Sequence, residues 1–231
     1  MSFAVHADPW LAEVMARPVF RLDGGGAAEA VASHLATQPR AFYFAKLATD
    51  QIDDVRALSR LGFAVVDTNV TFELVREPAT LDGFDVGELA AGEAEAVLDI
   101  AGSAFRYSRF HLDPQVDLAL ANHIKREWIR NYVLRKRGDG LLVARQGGRP
   151  CGFLAPLVSH GTAVIDLIAV ATDAHGRGVG SALTAAFANR YRGMPRLVGT
   201  QVANVPSIRL YTKLGFALAR SQYVLHFHAG A

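Results

Sequence analysis

Apolar residues along the chain follow two spacings: alternation or short runs typical of strands, and a three-to-four-residue period typical of helices. Segments of the first kind, rich in β-branched and aromatic residues, predict strands at 19–22, 41–47, 63–75, 141–145, 152–158, 163–170 and 197–202. Segments of the second kind predict helices at 27–38, 50–61, 91–105, 118–136 and 181–190, and a further helix that begins near residue 204. This alternation of strands and helices predicts the α/β fold class.

The segment 78–92 interrupts both spacings and combines a proline, three glycines and several acidic residues. Such a composition is typical of a domain boundary. We therefore expect an N-terminal α/β part at 1–80 and a larger part at 90–231.

A short piece of the larger part is repeated in the N-terminal part. The segment 55–64 aligns with 208–217 through a shared Leu-Gly-Phe-Ala, and a β-rich stretch follows each copy. We interpret the N-terminal part as a degenerate half with a structural role, because Leu58 stands where the second copy has Tyr211. Chance or shared turn chemistry is the alternative, since a helix that stops at glycine before a strand is common.

Composition excludes several classes of protein. The chain has 231 residues, a hydrophobic fraction of 51% and a net charge of +2, which gives no basis for nucleic-acid binding. Cys151 is the only cysteine, so no intrachain disulfide can form and a reducing compartment fits. No apolar run reaches the roughly 18 uncharged residues of a membrane helix, and the first ten residues lack a leader-like apolar region. We expect a cytoplasmic protein without a membrane segment.

A glycine-rich turn at 175–181 connects the predicted strand 163–170 to a helix. Backbone N–H groups at a helix start and the positive end of the helix dipole bind phosphate, and glycines let a ligand approach closely. The chain lacks the P-loop pattern, and the alternate glycines do not have the spacing of a dinucleotide-binding fingerprint. Taken alone, the turn is either a site for a phosphorylated ligand of another kind or a tight strand-to-helix connection without a ligand.

A second motif follows at a fixed place downstream. Asn204 is a candidate N-cap, Pro206 stands in the first turn and Gly215 is a natural helix stop. Together the two motifs resemble those of the GCN5-related N-acetyltransferases, and the resemblance covers about residues 90–228. The positions that match are Gly178 and Gly180 in the loop, and Asn204, Ser207, Tyr211, Gly215 and Phe216 in the helix motif. His175 departs from the pattern, since the family has Arg or Gln there.

The resemblance implies a fold, a co-substrate and a reaction. The fold is a mixed, mostly antiparallel central sheet with flanking helices, and acetyl-CoA is the acetyl donor. The implied donor site comprises backbone at Leu167, Ile168, Ala169 and Val170 for the pantetheine arm, the loop residues His175, Gly176, Arg177, Gly178, Val179, Gly180 and Ser181 for the pyrophosphate, and Asn204, Ser207 and Tyr211 beside them. Tyr211 would protonate the departing thiolate in a direct transfer within a ternary complex, and no metal is expected.

The base that accepts the amine proton stays open. Asp166 interrupts an apolar strand, where an unpaired carboxylate would cost free energy. It is therefore either a catalytic base or a structural carboxylate with its own hydrogen-bond partners. His111, His160 or water are the other options.

The segment 105–114 is polar and aromatic and lies between two predicted helices. Arginines suit diphosphates, and rings suit a base or a sugar face, but composition alone favours an ordinary loop with charged ends. This segment, with 128–132 and 199–211, is similar to the acceptor side of the nucleotide-linked 4-amino-sugar N-acetyltransferases, such as those that act on TDP-fucosamine. The implied acceptor-binding residues are Arg106, Arg109, His111, Thr200 and Gln201.

The preferred interpretation is thus an acetyl-CoA-dependent N-acetyltransferase for a small-molecule amine, most specifically a nucleotide-linked amino sugar. Acetylation of a peptide, lysine or polyamine is the alternative within enzymes, and an acidic acceptor groove would favour it. A non-catalytic acyl-CoA-binding module is the alternative outside enzymes. A homodimer is one option for the assembly.

Overall fold

The computed structural model describes residues 2–79, 83 and 85–230. Strands and helices alternate along the chain, as the hydrophobic pattern predicts. In chain order the elements are β1 (Ala4–Ala7), α1 (Pro9–Met15), β2 (Val19–Asp23), α2 (Glu29–Thr37), β3 (Phe42–Ala48), α3 (Ile52–Arg60), β4 (Ala64–Leu74), β5 (Asp85–Glu88), α4 (Ala94–Ala101), α5 (Leu118–Val133), β6 (Leu142–Gln146), β7 (Arg149–Ser159), β8 (Thr162–Val170), α6 (Val179–Arg190), β9 (Arg196–Gln201), α7 (Val205–Lys213) and β10 (Phe216–His228).

The strands form one ten-stranded sheet in the order β1-β2-β3-β10-β4-β9-β8-β7-β6-β5. Only the pairs β2–β3 and β8–β9 are parallel, so the expected mixed, mostly antiparallel sheet is confirmed. The thirteen-residue strand β10 pairs with β3 on one side and with β4 on the other. Strands from both predicted parts therefore belong to a single sheet.

Helices cover both faces of this sheet, because successive side chains of a strand point to opposite sides. On one face, α4 and α5 pack against Phe153 and Ala155, and α1 and α5 pack against Phe42 and Phe44. On the other face, α6 and α7 pack against Leu154 and its neighbours. The N-terminal core around Tyr43 and Leu58 lies on that second face with α2 and α3.

The predicted boundary segment 78–92 includes residues 80–82 and 84, which lie outside the described residues. The division into 1–80 and 90–231 stays a prediction. The repeated Leu-Gly-Phe follows α3 and α7 alike, with positive φ at both Gly62 and Gly215. This local likeness fits duplication and shared turn chemistry equally. Among the described residues, no helix has the length and apolar character needed to cross a membrane.

Candidate active site

The strands β8 and β9 separate partway along their length. They pair in parallel only through Ala163–Ile165 and Arg196–Val198, and beyond this point each continues without the other. Backbone groups of 167–170 on the side towards β9 are therefore free of strand partners there, while the other side pairs with β7. Such an edge can receive an extended arm through main-chain hydrogen bonds, as expected for Leu167, Ile168, Ala169 and Val170.

The loop after β8 leads directly into α6. Gly176 and Gly178 have φ of +75° and +89°, a region that side chains with a Cβ rarely occupy. Gly178 is the N-cap of α6, and no side chain caps that helix, so the first-turn N–H groups of Val179, Gly180 and Ser181 have no capping acceptor. Those donors and the helix dipole make this end of α6 suited to a phosphate.

Two loop side chains have partners within the protein. The Nε2 of His175 lies 2.9 Å from the carbonyl oxygen of Val170, and the Arg177 guanidinium donates to Gln146 at 3.2 Å. The bond from His175 fastens the loop to the end of β8. A contact from His175 to pyrophosphate stays a prediction.

The helix α7 presents the second motif to the diverging strands. Its N-cap is Asn204, whose side chain accepts a hydrogen bond from the Ser207 N–H at 3.3 Å and donates to Thr200 at 3.2 Å. Tyr211 is 2% exposed, and its ring packs beside Phe72 and Phe216. Burial raises the pKa of Tyr211 well above its ordinary value, so the phenol stays protonated, which is the form that an acid catalyst needs.

These elements enclose a cavity of about 340 Å³, here called the main cavity. Half of the predicted site residues line it, and Ala169 and Val170 are not among them. Those that line it are Arg106, Arg109, Asp166, Leu167, Ile168, Thr200, Gln201, Asn204, Ser207 and Tyr211. His111 and the loop 175–181 do not line it, which fits a separate place for the pyrophosphate at the start of α6.

Asp166 has the contacts of a structural carboxylate. It occupies a bulge of β8 opposite β7, and its Oδ2 accepts hydrogen bonds from Trp128 at 2.9 Å and Tyr132 at 2.7 Å. Arg137 adds a two-pronged ion pair at 2.8 and 3.2 Å. Burial acts to raise the pKa of Asp166, but these donors outweigh it and hold the pKa below its ordinary value. A fully engaged carboxylate of low pKa is a poor base, so the contacts favour the structural alternative.

The two predicted polar residues on the loop before α5 have different surroundings. Arg106 is exposed at the mouth of the main cavity and donates to the carbonyl oxygens of Ser103 and Phe105. His111 is held between Ser108 at 2.6 Å and Asn122 at 3.0 Å. Both ring nitrogens of His111 are thus engaged within the protein, and its acceptor-binding role stays a prediction.

Arg109 lies at one end of a row of polar side chains that contact one another inside the protein. Asp113 accepts from His226 Nδ1 at 2.6 Å and from His228 Nε2 at 2.8 Å. Since a carboxylate only accepts, each neutral ring keeps its second nitrogen as an acceptor. His226 Nε2 then faces the Arg109 guanidinium at 3.5 Å, and His228 Nδ1 faces Arg17 at 3.0 Å.

Aromatic rings complete the support of Arg109. Its guanidinium lies 3.9 Å from the ring centroid of Phe44 and 4.4 Å from that of Phe110. Within the described part of the chain, no carboxylate forms an ion pair with it. A fixed cation without a counter-charge thus faces the main cavity.

Two lysines that line the main cavity were not predicted as site residues from the sequence. Lys125 is 7% exposed on the buried face of α5, and its ammonium lies 5.0 Å from the rings of Phe105 and Trp128. Burial, with Arg109 as the second cause, lowers the pKa of Lys125 to about 7. Lys46 reaches the cavity from β3. Both had a signal in the sequence: a single charge on an otherwise apolar face or strand.

The family model for the acetyltransferase (GNAT) family matches residues 95–216. Over 150 residues the chain is 32% identical to the spore coat polysaccharide biosynthesis protein SpsD of Bacillus subtilis (strain 168), which covers 64% of this chain and 52% of that protein. The chain thus spans about half the length of this curated relative.

Solved structures share the fold at low identity. A GCN5-related N-acetyltransferase from Sphaerobacter thermophilus has a TM-score of 0.68 at 14% identity and covers 98% of this chain and 76% of its own. A tandem GNAT protein from the clavulanic acid biosynthesis pathway has a TM-score of 0.60 at 12% identity and covers 92% and 76%.

Proposed function

We propose that this chain, which belongs to the acetyltransferase (GNAT) family, is an acetyl-CoA-dependent N-acetyltransferase whose acceptor is the primary amine of a nucleotide-activated amino sugar. The main support is the charge of the main cavity. Arg109, Lys46 and Lys125 line it, and none of the three forms an ion pair with a carboxylate in the described part of the chain. The one carboxylate in its lining, Asp166, is neutralised by Arg137.

A cavity of this sign favours an anionic acceptor over a peptide amine, lysine or polyamine. Arg109 and Lys46 would repel a cationic substrate, whereas they would attract a diphosphate. The relative from spore coat polysaccharide biosynthesis supports a sugar as the group that carries the amine.

The proposed chemistry is direct transfer of the acetyl group. The amine nitrogen attacks the thioester carbonyl, the carbon–sulfur bond breaks and the amine loses a proton to water. Tyr211, protonated and on the wall of the cavity, donates a proton to the leaving sulfur. Backbone N–H groups of the separated strand β8 would polarise the carbonyl, and the first turn of α6 would hold the pyrophosphate.

The test is release of CoA from acetyl-CoA across a panel of amines: TDP- and UDP-linked 4-amino sugars, free amino sugars, lysine peptides and polyamines. We expect selective turnover of a nucleotide-linked sugar. Turnover confined to peptides or polyamines would refute the acceptor class and leave the family assignment intact. Binding of CoA without turnover of any amine would favour a non-catalytic module.

Variants of Arg109 connect this activity to the cavity. Arg109→Ala should raise the KM for the nucleotide-linked sugar about tenfold or more, as expected for a lost charge-assisted hydrogen bond. Arg109→Lys keeps the charge and should recover part of the loss. The matched control is Arg56→Ala on α3, an exposed arginine that does not line the cavity. An unchanged KM in Arg109→Ala would remove Arg109 from acceptor binding.

The remaining expectations from the sequence, a cytoplasmic location and a homodimer, also belong to this proposal. Fractionation of cells and size-exclusion chromatography with light scattering would test them.

A further inference from the structure

A second cavity of about 800 Å³ opens beside the main cavity, and here it is called the side chamber. Lys46, Arg109, Trp128 and Gln222 line both, so the two cavities adjoin at these side chains. More than half of the residues that line the side chamber precede residue 47, and they come from α1, β2 and β3 and from Asp8. The N-terminal part therefore builds a wall of the space that adjoins the main cavity.

The side chamber is strongly basic. Arg21, Lys46, Arg109, Lys136 and Arg137 line it together with two acidic residues, Asp8 and Asp23. Both acidic residues have partners within the protein: Asp8 caps α1, and Asp23 pairs with Arg21 at 2.6 Å.

Within the described residues, Lys46, Arg109 and Lys136 form no ion pair with a carboxylate. Lys46 and Arg109 stand at the junction of the two spaces. Because neither has a carboxylate of the described chain in direct contact, an anionic group that bridges Lys46 and Arg109 would be bound by both.

An aromatic side chain faces the chamber beyond these cations. Trp10 of α1 is half-buried and meets Trp128 edge to face, with ring centroids 5.4 Å apart. Lys125 and Arg137 already lie over the ring of Trp128, and the Trp128 N–H donates to Asp166. Trp10 makes none of these polar contacts, so its ring is the one suited to a stacked planar ligand.

From this order of groups, we propose that the side chamber binds the nucleoside end of a nucleoside diphosphate, with the base on Trp10 and the diphosphate on Lys46 and Arg109. The proposal rests on the proposed function for the identity of the reacting end, since an amino sugar would then extend into the main cavity towards Tyr211. It also gives the N-terminal part a role in acceptor binding, beyond the structural role expected from its missing tyrosine and glycine loop.

The experiment is calorimetric binding of TDP and of inorganic pyrophosphate to the whole chain. We expect TDP to bind at least about tenfold more tightly than pyrophosphate, which is the increment expected from base stacking on an aromatic ring. Trp10→Leu should remove most of that preference, and Trp10→Phe should restore part of it. Lys136→Met, an exposed change that leaves the core untouched, should weaken TDP binding about three- to tenfold, whereas Lys213→Met on α7 should not.

Equal affinities for TDP and pyrophosphate would overturn the proposal, because no base would then be recognised. A preference for TDP that survives in both Trp10→Leu and Lys136→Met would also overturn it. Tighter binding of an acidic peptide than of TDP would replace the ligand class.

The result of the TDP-binding experiment can be distinguished from the result of the acetyl-transfer assay. TDP binding that depends on Trp10, without acetylation of any sugar, would keep the side chamber and refute the proposed acceptor. Acetylation of a nucleotide-linked sugar that is unchanged by Trp10→Leu and Lys136→Met would refute the side-chamber proposal and keep the proposed acceptor.

Discussion

Acidification should destabilise the fold through His226. This ring is 2% exposed, donates to Asp113 and faces the Arg109 guanidinium with its other nitrogen. Burial, which disfavours the charged ring, lowers the pKa of His226 from 6.5 to about 4, with Arg109 adding to the effect and Asp113 opposing it. Between pH 6.5 and 4 the unfolded chain therefore binds a proton at His226 that the folded chain does not. Stability must then fall as the pH falls through this window.

The expected magnitude follows from the two pKa values. Integrated from neutral pH down to 4.5, the difference between 6.5 and about 4 amounts to roughly 2.5 kcal/mol of unfolding free energy. This is a large share of the roughly 5–15 kcal/mol that stabilises a typical domain. Asp113 acts in the same direction at lower pH: burial acts to raise its pKa, but the bonds from His226 and His228 hold the pKa well below its ordinary value.

The assay is urea unfolding at a series of pH values from 7.5 to 4.5 for the natural sequence and for His226→Gln. Glutamine keeps a neutral donor and acceptor but takes up no proton. At pH 7.5 the variant should be less stable by about 1–3 kcal/mol, as expected for an imperfectly replaced buried hydrogen-bonding group. This deficit should shrink by roughly 2.5 kcal/mol on acidification to pH 4.5.

The control is His123→Gln, at an exposed position of α5, which should follow the natural sequence at every pH. Parallel pH profiles for the natural sequence and His226→Gln would refute the reasoning. They would mean that His226 carries the same charge in the folded and the unfolded states.

Three further predictions concern single residues. Tyr211→Phe should lower turnover about 10²- to 10⁴-fold with an unchanged Kd for acetyl-CoA, and unchanged turnover would remove Tyr211 from the acid role. Gly180→Glu should abolish CoA binding, because the new side chain would crowd the start of α6 and its negative charge would repel the pyrophosphate. Calorimetry would measure the binding, and retained binding would contradict the pyrophosphate assignment. Gly215→Ala should cost at least about 1 kcal/mol more in urea unfolding than Gly161→Ala. Both glycines have positive φ, but only at Gly215 would a Cβ collide with a backbone carbonyl, that of Arg76, so equal costs would contradict this account.

The parts of the site that depend on neighbours along the chain could be predicted from the sequence. The loop at 175–180 needs glycines because its backbone adopts positive φ, and Asn204 caps α7 through a bond to the Ser207 N–H only three residues away. Tyr211 was singled out by the resemblance of this helix to the acetyltransferase motif, and it lies on α7 as that motif implies. The predicted strand at 163–170 agrees with β8 nearly to the residue, because its side chains form one β-branched run.

The ends of helices and strands, and the short elements, were harder to predict from the sequence. The helix predicted at 91–105 is limited to Ala94–Ala101, since the chain turns at Gly102. The short elements β1, α1 and β5 were not predicted, because four to seven residues give too little periodicity to distinguish a strand or helix from a loop.

The tertiary structure alone decided what surrounds the reacting groups. The sheet order sets β4 between β10 and β9, and Asp113 meets His226 across 113 positions of sequence. No local pattern encodes the register of strands so far apart, because it depends on which edges pair and which faces become buried. The same long-range pairing brings Lys46 and Trp10 of the N-terminal part into the lining of one chamber with Arg109. The sequence by itself determined the glycine-rich loop at 175–181 and the helix that carries Tyr211, whereas the cationic main cavity exists only once distant strands have joined one sheet.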